Sequence, residues 1–321
     1  MNRCVLSVIG VALLLPLLWV SSVSAQPYPN RSVQLVIPGP AGLMQDIPGR
    51  IISEEVGKIL NTQMVVLNKP GASMTLGTDF VVKSKKDGYT LLFTSTAPMV
   101  YPRVFDPQSL PYDPDKDLEP LGGRALVPFT VAVQEDAPWK TLEELVEHAK
   151  KNPETLRVGT PGVETASNFD LQIIQSLTGA RFTHVPIVKG PAVALLGGHI
   201  EVVVLPITEV VSYAQAGKMR ILVASNKLPD FPKVPTMKEL GFKQELLPTW
   251  FGFYGPSGEP EEVRRVIAPA VEKAIGNPEI KARLEKLNFI VDYKAPGEMK
   301  KLITEEYEIV SGIAKKVGLV K

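Results

Sequence analysis

An α/β architecture in two domains is what this 321-residue sequence predicts. Three observations carry that expectation. Short β-branched runs alternate with helical patterns along most of the chain, which argues for largely parallel sheets. The stretch from Gln34 to Arg50, QLVIPGPAGLMQDIPGR, ends an apolar strand in a tight Pro-Gly-Pro-Ala-Gly loop and opens a helix at Asp46. The same strand, loop and helix return around Gly159 to Thr165, in the other half of the chain. The length suits about two domains of ~100–200 residues each.

Taken in order, Gln34 to Ile37 reads as a strand and Ile47 to Leu60 as a helix, with Ile47, Ile51, Ile52, Val56 and Leu60 on one face. Met64 to Leu67 is a strand followed by the turn Asn68-Lys69-Pro70-Gly71-Ala72, and Leu76 to Lys83 is a short helix. Tyr89 to Phe93 is a strand that ends in polar Thr94-Ser95-Thr96, and Pro111 to Pro120 is a proline- and charge-rich loop. Phe129 to Val133 starts the second series. Trp139 to Lys151 is amphipathic, with Thr141 as N-cap and Glu144 as its capping-box partner. Leu156 to Gly159 is a strand and Ala166 to Leu177 a helix. Phe182 to Val185, Val202 to Leu205 and Arg220 to Val223 are further strands, with helices between them. Pro248 to Tyr254 is an aromatic strand whose Trp250, Phe251, Phe253 and Tyr254 belong to a core. Three helices follow, over Glu259 to Ile275, Pro278 to Leu287 and Pro296 to Val317.

Met1 to Ala25 has the form of a secretory signal peptide: Arg3, an apolar run to Val20, and small residues at Val23-Ser24-Ala25. No later segment is apolar enough to span a bilayer. The single cysteine, Cys4, falls inside that signal, so the mature chain would carry neither disulfides nor thiolate chemistry. Lys+Arg and Asp+Glu total 35 and 34; removal of Arg3 leaves the mature chain near neutrality, with no basic stripe for nucleic acid. These features point to a bacterial periplasm. His148, His184 and His199 lack a second ligand at metal spacing, and no nucleophile elbow, P-loop or dinucleotide fingerprint occurs. No catalytic residue, metal or cofactor is expected.

The two loops, Pro38–Asp46 and Gly159–Thr165, each place free backbone N–H groups at a helix start, which suits an anion. Ligands of open α/β sheets sit beyond the carboxyl ends of the strands. Two such ends facing across a cleft would grip one ligand from both sides, and a hinge would close them.

The ordered motifs of the chain resemble one family. They are Val36-Ile37-Pro38-Gly39-Pro40-Ala41-Gly42 with Asp46, Asn68-Lys69-Pro70-Gly71-Ala72, Asp87-Gly88-Tyr89-Thr90-Leu91-Leu92, and Leu110-Pro111-Tyr112-Asp113-Pro114. Further along come Val185-Pro186, Leu195-Leu196-Gly197-Gly198, Ala216-Gly217-Lys218-Met219-Arg220, Val234-Pro235-Thr236, and Trp250-Phe251-Gly252 with Gly255-Pro256. In order and spacing they are similar to the periplasmic substrate-binding subunits of tripartite tricarboxylate transporters, the TctC or Bug family. The resemblance runs from about Tyr28 to the C-terminus. It implies a monomeric, two-domain "Venus flytrap" that binds a small organic carboxylate and hands it to a membrane permease, with no role for nucleic acid. Domain one would comprise residues 26–127 plus 249–321, and domain two residues 128–248. The ligand-binding residues carried over are Ala41, Gly42, Asp46, Thr94, Ser95, Thr160, Gly162 and Thr165. Gly39, Leu43, Gln45, Ala166 and Ser167 in the same loops complete the candidate site, together with Leu205.

Several positions depart from the family pattern. Leu43 replaces a second glycine, and Met44-Gln45 a Ser/Ala-Thr pair. Glu164 stands where glycine is usual, and Asn168 where histidine is common. The family's Tyr-Lys-Gly after Val185-Pro186 appears as Ile187-Val188-Lys189-Gly190, with an apparent short deletion. Leu205-Pro206 occupies the place of a polar pair that can receive an ammonium group. An apolar Leu205 cannot balance an ammonium ion, so an amino acid is not the expected ligand. Leu43 and Met44 point to a ligand with a hydrophobic part or to a narrower pocket, and Glu164 opposes a multiply charged anion such as citrate. The rival readings are an orphan receptor or sensor on the same fold and a periplasmic enzyme.

Overall fold

A computed structural model of the chain describes residues 27–320. The signal peptide expected over Met1 to Ala25 lies outside the described residues. The first lobe begins with β1 (Val33–Ile37), α1 (Asp46–Ile59), β2 (Met64–Asn68), α2 (Thr75–Val82), β3 (Thr90–Ser95), α3 (Ala97–Phe105), α4 (Pro114–Asp117) and β4 (Leu118–Val127). The chain then passes into a second sheet through β5 (Phe129–Gln134), α5 (Leu142–Lys151), β6 (Arg157–Thr160) and α6 (Ala166–Thr178). That sheet continues with β7 (Thr183–Pro186), α7 (Pro191–Leu196), β8 (Val202–Pro206), α8 (Ile207–Gln215) and β9 (Met219–Ala224). It returns in β10 (Thr249–Pro256), α9 (Glu261–Gly276), α10 (Pro278–Glu285), β11 (Ile290–Lys294) and α11 (Pro296–Lys316).

The first sheet has the order β11-β4-β10-β3-β1-β2 and the second β7-β6-β8-β5-β9. Both are mixed, which corrects the expectation of largely parallel sheets. The βαβ strands β1, β2 and β3 pair in parallel, as do β6, β7 and β8. The strands that carry the chain from one sheet to the other run the opposite way. β10 is antiparallel to β3 and β4, and β5 is antiparallel to β8 and β9. A strand entering from the far sheet comes in at the carboxyl edge, against the direction of strands that start at the outer edge.

Burial explains why these segments fold as they do. The face of α1 predicted from its spacing presents Ile51, Ile52 and Val56, all buried; each such side chain contributes about 1.5–3 kcal/mol. Gly49 in its first turn lets α1 approach the sheet, since a methyl there would meet Ile37 Cδ1 at 2.6 Å and Phe93 Cδ1 at 2.8 Å. Thr141 accepts from the Glu144 N–H as expected of an N-cap, although the Glu144 carboxylate reaches back one residue further, to the amide of Lys140. The stretch read as a loop over Pro111 to Pro120 instead contains α4 and the start of β4. β4 was not predicted: it is buried on both faces and interrupted by Pro120 and Gly122-Gly123, so it shows no alternation. α11 packs against α3 and β4 of the first lobe and against α6 of the second, and Lys316 Nζ donates to Ser176 Oγ at 2.6 Å.

Candidate functional site: the cleft between the sheets

A cleft of about 860 Å³ lies between the carboxyl edges of the two sheets. The first lobe supplies its wall from the loop after β1, from the segment before α2 and from the end of β3. The second lobe supplies Pro161 and Glu164–Ser167 after β6, Pro206 at the end of β8 and Glu209 in the first turn of α8. Phe129 and Phe251, on the two crossing strands, also border it. A shallower groove of about 620 Å³ runs along the outer flank of α1, past Glu54, Lys58 and Asn61, away from the strand ends.

Asp46 does not border the cleft. Its side chain is buried, and both carboxylate oxygens are occupied. Oδ2 accepts from the Gly42 N–H and from Arg50 Nε, each at 2.8 Å, and Oδ1 accepts from Asn68 Nδ2 at 2.8 Å. Asn68 also donates to the Gly39 carbonyl at 2.9 Å and accepts from Arg50 at 2.8 Å. The pairing of Ile37 with Asn68 across β1 and β2 sets this side chain beside the loop. Burial pushes the Asp46 carboxyl up. The hydrogen bonds from Arg50, Gly42 and Asn68, with the Arg50 charge, outweigh it and hold the group below the usual carboxylate range. Asp46 is therefore the clamp of the loop, and Gly42, whose amide it consumes, is not on the cleft wall; nor is Ala41. Gly39, Leu43, Met44 and Gln45 are on the wall. Among the described residues the amides of Met44 and Gln45 donate to no other group. The Gln45 side chain is folded over Gly39, where a methyl would lie 2.0 Å from Nε2.

Thr94 and Ser95 separate by the two-residue period of a strand. Ser95 borders the cleft, and its hydroxyl makes only long contacts, with Met74 Sδ at 3.8 Å and the Ala97 amide at 3.3 Å. Thr94 faces the other way, is fully buried, and its hydroxyl has no partner.

In the second lobe, Thr165, Ala166 and Ser167 border the cleft, whereas Thr160 and Gly162 do not. The Thr160 hydroxyl is taken up by His184 Nε2 at 2.7 Å and the Gly162 carbonyl at 3.1 Å. Burial pushes the His184 imidazole down. The Thr165 hydroxyl caps α6, donating to the Gly162 carbonyl at 2.7 Å and accepting from the Asn168 amide at 3.4 Å. The first-turn amides of Ala166 and Ser167 and the Ser167 hydroxyl make no hydrogen bond among the described residues. They are the free donors of this lobe. Leu205 is fully buried in the sheet, its carbonyl accepting from Thr130 Oγ1 at 3.0 Å, and it does not border the cleft. The argument from Leu205 against an amino acid thus loses its premise; the residues that border the cleft at that strand end are Pro206 and, in α8, Glu209.

Two further carboxyls escaped the sequence reading. Glu306, in the middle of α11, accepts from Thr96 Oγ1 and from Trp250 Nε1, each at 3.0 Å. Burial raises its carboxyl to about 7 against the lowering effect of those bonds and of Arg124. Asp170 of α6 accepts from the Leu247 amide at 2.7 Å and keeps its second oxygen unpartnered; burial holds its carboxyl well above the usual range. Both meet where α11, α6 and the returning chain converge. Among the described residues no group of three or more His, Cys, Asp or Glu is placed to hold a metal ion.

Two mixed α/β lobes joined by two crossings around a cleft define the class of two-domain periplasmic binding proteins. Residues 49–319 match the model of the tripartite tricarboxylate transporter family receptor, TctC, and the chain belongs to that family. It is 32% identical over 302 residues to the UPF0065 protein in the gbd 5' region of Cupriavidus necator, covering 92% of this chain and 90% of that one. The fold is similar to the ligand-free crystal structure of a TctC solute-binding protein from Polaromonas, with a TM-score of 0.79, 29% identity and 90% and 99% of the two chains covered. It is also similar to MatC from Rhodopseudomonas palustris with bound malate, with a TM-score of 0.72, 27% identity and coverage of 89% and 99%.

Proposed function

We propose that this protein captures a small organic carboxylate in the cleft, in the periplasm, and delivers it as a monomer to the membrane permease of a tripartite tricarboxylate transporter. One observation carries the reading. Free donors from both lobes, the amides of Met44 and Gln45 on one side and the amides and hydroxyl of Ala166 and Ser167 on the other, belong to walls of the same cleft. Such donors hold a carboxylate without a buried cation. The malate bound to MatC is a carboxylate of this kind. Leu43, Met44 and Phe251 favour a ligand with an apolar body, and Glu164 and Glu209 oppose a highly charged anion. In this reading the lobes divide as residues 26–127 plus 249–321 and residues 128–248, and they close by bending at the crossings. The protein carries its ligand without transforming it.

Thermal unfolding of the mature protein in the presence of mono-, di- and aromatic carboxylates tests this. Binding to the native state stabilises it by about 2.7 kcal/mol at a hundredfold excess over Kd. A raised midpoint with a carboxylate, and none with its amide or alcohol analogue, is expected. No shift with any carboxylate would contradict the reading.

A further inference from the structure

The turn that precedes α2 is built from residues that suit its shape poorly. Gly71, Ala72, Ser73 and Met74 all have positive φ, at 137°, 44°, 49° and 74°. The other non-glycine residues with positive φ among those described, Asn61, Arg124, Glu154 and Asn288, stand singly. The left-handed region crowds Cβ against the backbone, so a run of side-chain-bearing residues there is unfavourable and persists only where neighbours hold it. Two threonines do so here. Thr75 Oγ1 donates to the Ala72 carbonyl at 2.7 Å, and Thr78 Oγ1 to the Met74 carbonyl at 3.0 Å. Met74 is also the N-cap of α2, and its side chain makes no cap bond. Serine, threonine, aspartate, asparagine or glycine is favoured at an N-cap, and glycine suits the φ as well. Local structure gives no reason for a methionine.

The cleft supplies one. Met74 borders it, and its Sδ lies 3.8 Å from Ser95 Oγ. Ser95 borders the same cleft yet is only 2% exposed. A thioether is apolar, mobile and a poor acceptor, so it covers the hydroxyl without satisfying it. Directly across the ladder from Ser95 is Phe251, which also borders the cleft. Directly paired residues share one face of a sheet. This part of the first-lobe wall therefore offers sulfur and ring where a hydroxyl would otherwise meet the ligand. Among the described residues that border the cleft there is also no lysine or arginine to receive a second carboxylate.

We propose that Met74 is a specificity-determining residue: its thioether, held in place by the strained turn, screens the Ser95 hydroxyl, so that the cleft takes an organic monocarboxylate whose far end is apolar. A ligand whose far end carries a hydroxyl or a second carboxylate is discriminated against. Such an end, laid against Met74 and Phe251, would lose its water and find no partner. This rests on the carboxylate reading given above and adds to it the chemistry of the ligand's other end.

Calorimetry on the mature protein with matched sets of ligands tests the proposal. The sets are caproate with ω-hydroxycaproate and adipate, and para-toluate with para-(hydroxymethyl)benzoate and terephthalate. In the set that binds, the plain acid is expected to be held about tenfold or more tightly than either polar counterpart, the cost of one unpaired polar group. Met74→Gly uncovers Ser95 and should bring the ratio of plain to hydroxy acid close to one, whereas Met74→Leu restores an apolar cover and should keep it. In the double variant Met74→Gly/Ser95→Ala no hydroxyl is left to uncover, and the preference for the plain acid should return. Cooperative melting of each unliganded variant shows that it folds. If a polar member binds as tightly as the plain acid, if Met74→Gly leaves the ratio unchanged, or if the double variant behaves as Met74→Gly does, Met74 does not screen Ser95 and the carboxylate reading stands alone. If no member of either set binds, the carboxylate reading falls and this one with it.

Discussion

The loop after β1 and the loop after β6 occupy equivalent places in the two sheets, yet they are fixed by different chemistry. In the first, a buried carboxylate, Asp46, gathers a backbone amide, a guanidinium and a side-chain amide. In the second, neutral hydroxyls do the work: Thr160 is held by His184, and Thr165 caps α6. The first loop is held by charge and depends on one acid. The second is held by several weaker bonds, which leave its first-turn amides open to the cleft. A loop that presents donors to a ligand needs something else to bind its own backbone, and the two lobes have solved that differently.

The sharpest way to break the comparison is to remove the charged clamp. Asp46→Ala strips three hydrogen bonds and leaves Arg50 and Asn68 facing a gap. Arg50 is half exposed, so the loss sits at the low end for a buried pair, about 3 kcal/mol, measured by denaturant unfolding. The Asp46 carboxyl is lower in the folded than in the unfolded chain. Its stabilising contribution is therefore complete above the ordinary carboxylate range and disappears as pH falls through the lowered value. Glu306 behaves in the opposite sense. It anchors Thr96, the residue after Ser95 on the cleft wall, and its carboxyl is raised to about 7. The folded chain binds that proton more tightly than the unfolded one, so stability is greatest below the ordinary carboxylate range and declines as pH rises toward 7. The loss is about 2–3 kcal/mol for a shift of this size. Glu306→Gln should flatten that decline while leaving the acid limb set by Asp46 in place; a slope unchanged between pH values of about 5 and 8 would contradict the assignment.

Removal of the neutral cap is a smaller perturbation. Thr165→Ala should lower stability by about 1 kcal/mol and weaken carboxylate binding, because the cap orients the amides that face the cleft. Thr141→Ala removes a similar cap on α5, which does not border the cleft, and should cost about as much stability with no change in affinity. Equal affinity losses in both variants would mean that the second loop has no special part in binding. The smallest expected effect is that of Gly39→Ala: the new methyl displaces the flexible Gln45 side chain from the wall, which should alter affinity by a few-fold with little change in melting.

The sequence made the strand–loop–helix units legible because their signals are local: an apolar run broken by prolines and glycine, then a helical face opened at Asp46 or Thr165. It carried the identity of the two loops for the same reason. It could not carry the direction of the crossing strands, since an antiparallel β10 reads the same as a parallel one. Nor could it say which of Thr94 and Ser95 meets the cleft, because period-two alternation fixes that they differ without fixing which faces in. Asp46 looked like a ligand group because its partner Asn68 lies on another strand. Leu205 looked like a wall residue because the chain turns out of the sheet only after Pro206. Glu306 sits in Glu305-Glu306-Tyr307, which has the appearance of a solvated face, and only the packing of α11 across α3 and α6 reveals that it is buried.

The central claim is that one carboxylate is held by donors from both lobes at once. Amide NMR resonances of the labelled protein, followed while the tightest-binding carboxylate of the screen is titrated in, test it most directly. The account predicts that Met44, Gln45, Ala166 and Ser167 shift together along one saturating curve. Shifts confined to a single lobe, or a saturating ligand that leaves these four amides unmoved, would contradict it.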